Sequence, residues 1–194
     1  IYDEQLVIPA KKFVTAMGDR LRKISPGIVA DPAVNKSLFR LNRDTRFSSD
    51  KTPYKTQFSM FFWEGDRKRM ENPGYYMCFD AQKLTLAGGF HEFPREKLEP
   101  FRRAVINDRS GKELVKIAET FNRKGIEVKG EHYKRTPRGY DPEHPRAAFL
   151  KFNGLYIISE VKLPAQIHSG GFVAYCARQF TTMDPLQRWL VDTL

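Results

Sequence analysis

The spacing of apolar residues near the start of the chain predicts an amphipathic helix between Tyr2 and Ile24. Over this stretch apolar residues recur at intervals of three and four, which places them on one face of a helix. They are Leu6, Phe13, Met17, Leu21 and Ile24. Pro9 either kinks this helix or marks its true first turn. The sequence Ser25-Pro26-Gly27 predicts its end.

After Ser37 the pattern changes to short, aromatic-rich segments in which alternate residues are apolar, as in half-buried strands. We predict five strands, at Leu38–Leu41, Thr56–Trp63, Tyr75–Phe79, Leu84–Ala87 and Leu155–Val161. Only residues 80–83 separate the third strand from the fourth, so the two are expected to form an antiparallel hairpin. On the second strand we expect one face to lie in the core (Phe58, Met60, Phe62) and the other to lie opposite it (Gln57, Ser59, Phe61).

Helices are predicted before and after these strands. One begins near Pro94, and another begins at Ser110, which fits a capping box with Glu113, and ends at Gly125. Three more are expected, at Ala147–Phe152, Gly171–Thr181 and Pro185–Leu194. The polar stretch at 129–146 contains three prolines and is predicted to be an ordered or functional loop.

The grouping of the strands predicts an α+β fold. Because strands and helices do not alternate regularly, we expect a mainly antiparallel central sheet with flanking helices. The 194 residues contain no internal repeat and no linker, so residues 1–194 are expected to form a single domain. Since the chain starts at Ile1 and enters a helix at once, we expect this domain to lack its extreme N-terminal segment.

The composition is that of a globular protein and excludes several classes of site. Apolar residues make up 41% of the chain, but no run approaches the length of a membrane span, so a cytoplasmic protein without membrane contact is expected. Cys78 and Cys176 sit among apolar neighbours and are expected to be buried thiols. The four histidines are scattered, and no nucleotide-binding glycine motif or serine-nucleophile motif is present. Neither a metal nor a cofactor is therefore predicted.

Positive charge changes the picture because it is concentrated. The formal net charge is +10, from 33 Lys and Arg against 23 Asp and Glu. Residues 36–55, the first basic segment, hold six cations and two anions, which gives +4. Arginine forks bind phosphate or carboxylate with two hydrogen bonds, and lysines add point charge. The candidate ligand-binding residues here are Arg43, Arg46, Lys51, Tyr54 and Lys55.

Two other interpretations of the first basic segment remain open. Arg43, Asp44, Arg46 and Asp50 can instead form an ion-pair network that pins a loop, and Asp44 is a candidate catalytic acid or base. Arg43 adjoins a predicted strand and is the structural candidate, whereas Arg46 lies further into the loop and is the ligand-binding candidate.

Residues 129–151, the second basic segment, repeat this chemistry with six cations and three anions, hence +3. Lys134, Arg135 and Arg138 are its candidate ligand-binding residues. His144 is either a general acid or base or a hydrogen-bonded clasp of the loop. The two segments either converge on one anion pocket or form two separate solvated loops.

Four blocks of sequence resemble a known family. They are Arg-Asp-x-Arg-Phe-Ser-x-Asp-Lys-x-Pro-Tyr-Lys at 43–55, Gly-Tyr-Tyr at 74–76, Gly-Gly at 88–89, and Lys-Arg-x-Pro-x-Gly-Tyr-Asp-x-x-His-Pro at 134–145. In this order they resemble the domain of unknown function 2461 family. The resemblance implies a single domain and no established activity. Members usually carry an Asn-Arg-x-Trp-Phe-like segment before the first helix, which this chain lacks.

Taken together, the residues favour an anion-binding domain with two basic loops for a phosphorylated or carboxylated ligand. Nucleic acid is included among the candidate partners because aromatic residues interleave with the basic ones. The first alternative is an enzyme that acts on a phosphorylated or acidic small molecule, with Asp44 or His144 transferring a proton. The second is a structural or interaction module whose loops are held by ion pairs.

Overall fold

An antiparallel sheet forms the centre of the molecule in a computed structural model that describes residues 4, 7–40, 42–43, 46–47, 49–52 and 54–194. Within these residues the sheet has six strands: β1 Ile28–Val29, β2 Phe58–Glu64, β3 Gly74–Phe79, β4 Lys83–Phe90, β5 Val128–Glu131 and β6 Phe152–Lys162. The helices of the same residues are α1 Ile8–Leu21, α2 Arg95–Ile106, α3 Asp108–Arg123, α4 Ala147–Leu150 and α5 Gly171–Thr193. Short 3-10 turns lie at Arg69–Glu71 and Ala165–His168. The predicted α+β class with an antiparallel sheet is confirmed.

The strands lie in the order β1-β2-β3-β4-β6-β5, and every neighbouring pair is antiparallel. The predicted β3–β4 hairpin is confirmed. Its turn is held by the carboxylate of Asp80, which accepts hydrogen bonds from the backbone amides of Gln82 (2.7 Å) and Lys83 (2.9 Å). The strand predicted at Leu38–Leu41 is reduced to a single bridge between Leu38 and Met60, and Leu41 lies outside the described residues.

The core lies between one face of the sheet and the helices. Met60 and Phe62 point into it as predicted, and the neighbouring strands add Tyr75 and Met77. Helix α5 crosses this face with an apolar stripe: Phe172, Cys176, Phe180, Met183, Leu186 and Leu190. Cys176 is buried, which raises the pKa of its thiol to about 12, whereas Cys78 is only half-buried, and both are free thiols.

Two helix predictions were wrong at particular residues. Helix α3 is capped by Asn107, whose side chain accepts from the amides of Arg109 and Ser110, so Ser110 is not its cap. Helix α5 runs unbroken through Pro185, where two helices were predicted. Proline removes one helical hydrogen bond, but the apolar stripe continues on both sides of it and packs on the sheet.

Two other helix expectations were confirmed. Pro9 lies in the first turn of α1 and does not kink it. Gly125 follows α3 with a φ of 72°, the left-handed conformation that favours glycine at a helix end. Among the described residues, no helix is both long and apolar enough to cross a bilayer.

Candidate ligand-binding site: a cavity beside the first basic segment

The first basic segment leaves the sheet at the Phe58 end of β2. It begins alongside this strand, where the amide of Phe39 donates to the carbonyl of Ser59 (3.1 Å). Further on, Asn42 and Tyr54 form an antiparallel bridge, so the chain between them folds back on itself beyond the end of the strand.

An ion pair between Arg43 and Asp50 spans this excursion. Asp50 also accepts hydrogen bonds from the hydroxyl (2.5 Å) and the amide (2.9 Å) of Thr52. The Thr52 hydroxyl and the Arg43 guanidinium hold the pKa of Asp50 well below its usual range. Arg43 therefore has the carboxylate partner expected of a structural residue. The guanidinium of Arg46 lies 5.9 Å from the ring centroid of the exposed Phe47, and Asp44 lies outside the described residues.

The second basic segment lies at the opposite corner of the sheet. Strands β3, β4 and β6 separate β2 from β5. Along the strands, Phe58 is level with Val161 of β6, whereas Glu131 of β5 pairs with Phe152 of β6, nine residues away. At about 3.3 Å per residue this offset is about 30 Å. The two segments do not share a pocket, which leaves the alternative of two separate loops.

A cavity of about 620 Å³ opens beside the first basic segment. It lies between the first half of α1, the start of β2, the β3–β4 turn, the 3-10 turn at Ala165–His168 and the first turn of α5. Most of its wall is apolar. Four aromatic rings form it in a connected series, with centroids 5.5 to 6.1 Å apart: Phe13, Phe172, Phe79 and Phe58.

Polar groups are confined to one part of the cavity lining. Tyr54, Lys55, Thr56 and Gln57 enter it from the first basic segment and the residues just before β2. Asp80 also lines it, but hydrogen bonds from two backbone amides occupy this carboxylate and lower its pKa. Lys55 is exposed and makes no hydrogen bond or ion pair with any described residue. The cavity thus combines an apolar wall with one uncompensated positive charge.

Two of the eight predicted ligand-binding residues, Tyr54 and Lys55, line this cavity. Arg43, Arg46 and Lys51 belong to the same segment but are not among the lining residues. The three candidates of the second segment are exposed at the far corner of the sheet: Lys134, Arg135 and Arg138. A ligand-binding role for any of the eight stays a prediction.

His144 is engaged within its own loop. Its Nδ1 accepts a hydrogen bond from the amide of Arg146 (3.1 Å), and its own amide donates to the carbonyl of Asp141 (3.3 Å). These contacts are those of a clasp, and proton transfer by His144 stays a prediction. Among the described residues, no group of three or more His, Cys, Asp or Glu side chains is placed to hold a metal.

Arg146 was counted only as one cation of the second segment, but it is 8% exposed and structural. Its guanidinium donates to the carbonyls of Val105 (2.7 Å) and Ile106 (2.8 Å), which end α2. These carbonyls lack helical partners because the helix stops there. The only sequence signal for this role is an arginine beside the apolar pair Ala147-Ala148, which is too common to be specific.

A second group that sequence reasoning missed lies at the other end of α1 and α5. We call it the charge cluster: Ser25, Glu64, Tyr75, Asp184 and Arg188. The Tyr75 hydroxyl donates to Asp184 (2.9 Å), and Arg188 lies 3.6 Å from Asp184 and 3.7 Å from Glu64. Arg188 also donates to the carbonyl of Ile24.

Glu64 closes the charge cluster on the side of the α1–β1 turn. It accepts hydrogen bonds from the hydroxyl of Ser25 and from the amide of Gly27 (3.2 Å). Burial raises the pKa of Asp184 and, more strongly, that of Tyr75. Only Asp184 and Arg188, four residues apart on one helix, give a local sequence signal.

Comparison with known proteins identifies the family. The family model described as conserved hypothetical protein (DUF2461) matches residues 1–189, and the chain belongs to this family. None of the curated proteins matches the chain. The family description names no activity, so the cavity and its charges carry the functional argument.

Proposed function

We propose that this member of the conserved hypothetical family binds a small molecule that has an apolar body and an anionic head group. The apolar body occupies the cavity, and the carboxylate or phosphate head lies at Lys55. The observation that carries the proposal is an aromatic-walled cavity of about 620 Å³ with an uncompensated lysine in its lining. Cavities of roughly 300 to 1,000 Å³ are typical of sites for small ligands.

The two parts of the site contribute differently to the binding free energy. Burial of the ligand's apolar surface against the four phenylalanine rings supplies most of it, at roughly 25 cal/mol per Å². The charge of Lys55 supplies less because its side chain is exposed, and exposed ion pairs contribute about 1 kcal/mol at most. Lys55 therefore selects the sign of the head group, and the wall determines the affinity.

Binding is favoured over catalysis by the groups that line the cavity. The described lining residues include no His, Cys, Ser or Glu, and the carboxylate of Asp80 is occupied by the amides of its own turn. His144, a candidate acid or base, belongs to the second basic segment at the opposite corner of the sheet. An enzyme acting on the same class of molecule remains the alternative.

Calorimetric titration with three matched twelve-carbon probes tests the proposal: dodecanoate, dodecyl phosphate and the uncharged dodecanol. We expect the two anions to bind with a stoichiometry near one and dodecanol to bind about fivefold more weakly, the factor that corresponds to about 1 kcal/mol. Absence of saturable binding by all three probes would overturn the proposal, and equal binding of anion and alcohol would overturn the role of the head group.

Two variants separate the wall from the lysine. Lys55→Met should abolish the preference for the anions and leave dodecanol binding unchanged. Ala81→Trp places a large ring on an exposed position of the cavity lining and should weaken all three probes. Lys112→Met and Ala148→Trp are the controls, because both positions are exposed and do not line the cavity. Equal effects of a variant and its control would argue against the site.

A further inference from the structure

A second charged surface lies far from the cavity, where the second basic segment passes helix α2. The hydroxyl of Tyr140 donates to Glu99 of α2 (3.0 Å). The guanidinium of Arg102, also on α2, lies 5.5 Å from the ring centroid of Tyr133. Tyr140 is close enough to Arg102 for that charge to act on its hydroxyl. The two tyrosines therefore hold the segment against α2, and both rings are only half-buried.

The cations between the two tyrosines lack carboxylate partners. Lys134, Arg135 and Arg138 are exposed, and none makes an ion pair or hydrogen bond with a described residue. Arg102 forms no ion pair with a described carboxylate either, and its buried Nε has no hydrogen-bond acceptor in the described part of the chain. Four positive charges thus lie on one surface without compensation.

The neighbouring carboxylates are engaged elsewhere. Glu99 pairs with Arg103 (3.2 Å) as well as with Tyr140. Glu131 lies 3.9 Å from Lys151, and Asp141 accepts the amide of Glu143 (2.9 Å). Surface cations elsewhere, such as Arg43 and Arg67, do have acidic partners. The lack of compensation is therefore a property of this surface and not of the whole protein.

We propose that the polynucleotide interface, Arg102, Tyr133, Lys134, Arg135, Arg138 and Tyr140, binds the phosphodiester backbone of single-stranded nucleic acid. Uncompensated arginines bind phosphate oxygens with paired hydrogen bonds. The three exposed cations span five residues, at most about 17 Å of extended chain, which is enough to contact successive phosphates. An unpaired strand also presents bases that stack on half-exposed tyrosine rings, which a duplex does not.

Fluorescence anisotropy with labelled dT20 and rU20 oligonucleotides tests this interface. Binding should weaken steeply with salt, because each phosphate contact on a single strand contributes a slope of about −0.7 in log affinity against log salt. The triple variant Lys134→Gln, Arg135→Gln, Arg138→Gln removes three of the four contacts. We expect its affinity at 50 mM salt to fall at least about tenfold and its salt slope to become shallower by about 2.

The control is a triple variant with the same net charge, Lys112→Gln, Lys116→Gln, Lys124→Gln, which changes exposed lysines on and next to α3. Its affinity should stay within about twofold of the parent. An equal loss in both triple variants would mean that net charge alone attracts the oligonucleotide and would overturn the proposal. So would undetectable binding at low salt, or equally tight binding of polyglutamate through the same residues. Twelve-carbon anions should not compete, since the cavity is a separate site.

Discussion

The two ends of the layer between the sheet and its helices are built from the same elements but are completed differently. Helix α1, strand β2 and helix α5 contribute to both ends. At one end they supply Phe13, Phe58 and Phe172 to the cavity. At the other, β2 ends in Glu64, α5 carries Asp184 and Arg188, and the chain leaving α1 adds Ser25, so that the layer is closed by the charge cluster.

The difference lies in how charge is matched. In the charge cluster each carboxylate has donors from at least two residues, and Arg188 joins both carboxylates. At the cavity Lys55 has no partner among the described residues, and the apolar wall opens to ligand-sized space. A matched, partly buried set of charges stabilises one conformation, whereas an unmatched charge beside apolar surface is available to a ligand. Substitutions at the first end should therefore affect stability, and substitutions at the second should affect binding.

The largest expected effect on stability is that of Arg188→Met. This change leaves Glu64 and Asp184 without their shared cation while the methionine retains the apolar part of the side chain. Removal of one partner from a buried pair costs about 3 to 5 kcal/mol, and we expect about 3 kcal/mol because Arg188 is 31% exposed. Urea denaturation of Arg188→Met and of the exposed control Arg178→Met measures it. Equal, small losses would show that the charge cluster does not close this end.

A smaller effect is expected for Tyr75→Phe, which removes only the hydroxyl that donates to Asp184. Leaving a buried acceptor without its donor costs about 1 to 3 kcal/mol, and we expect the lower part of that range because Arg188 still contacts Asp184. Denaturation at pH 7 measures this loss. A variant as stable as the parent would contradict the assigned role of the hydroxyl.

The loss in Tyr75→Phe should also depend on pH. Burial raises the folded-state pKa of Asp184 above its ordinary value of 3.8, so its contribution is most favourable at low pH and declines as pH rises through the folded pKa. The Tyr75 hydroxyl favours the charged form, so its removal raises this pKa further. The difference between parent and variant should therefore be largest near neutral pH and shrink below pH 4. A difference that does not vary with pH would contradict this assignment.

The smallest effect on stability is expected for Lys55→Met at the cavity. Because Lys55 has no partner among the described residues, its removal should change the free energy of unfolding by no more than about 0.5 kcal/mol. Denaturation midpoints of the parent and the variant in the absence of ligand measure this. A loss comparable to that of Arg188→Met would mean that both ends are structural and would remove the contrast between them.

Sequence patterns predicted the parts of the fold that depend on neighbouring residues. The β3–β4 hairpin follows from alternation on both sides of a four-residue link, and Gly125 ends α3 as its conformational freedom suggests. Pro185 misled because local propensity favours a break there, whereas the cost of one lost hydrogen bond is outweighed by the apolar stripe that α5 buries against the sheet.

The sites were harder to predict because distant residues form them. Tyr54 and Lys55 stood out through local charge, but the cavity wall brings together Phe13 and Phe172, which are 159 positions apart. Whether the two basic segments converge depends on the insertion of β6 between β4 and β5, which no local pattern encodes. The charge cluster was missed because Tyr75 and Asp184, whose contact closes it, are separated by 109 positions.

The strand order also has a kinetic consequence. Strands β2, β3 and β4 are consecutive and pair through short connections, so this meander has the local contacts that form quickly. Strand β6 pairs with β4 along eight residues only after the whole chain from His91 to Lys151 has been accommodated. The contacts of Arg188 with Ile24 and Glu64 close even longer loops, which places them after the folding barrier. Accordingly, stopped-flow measurements on Arg188→Met should show faster unfolding and an almost unchanged rate of refolding.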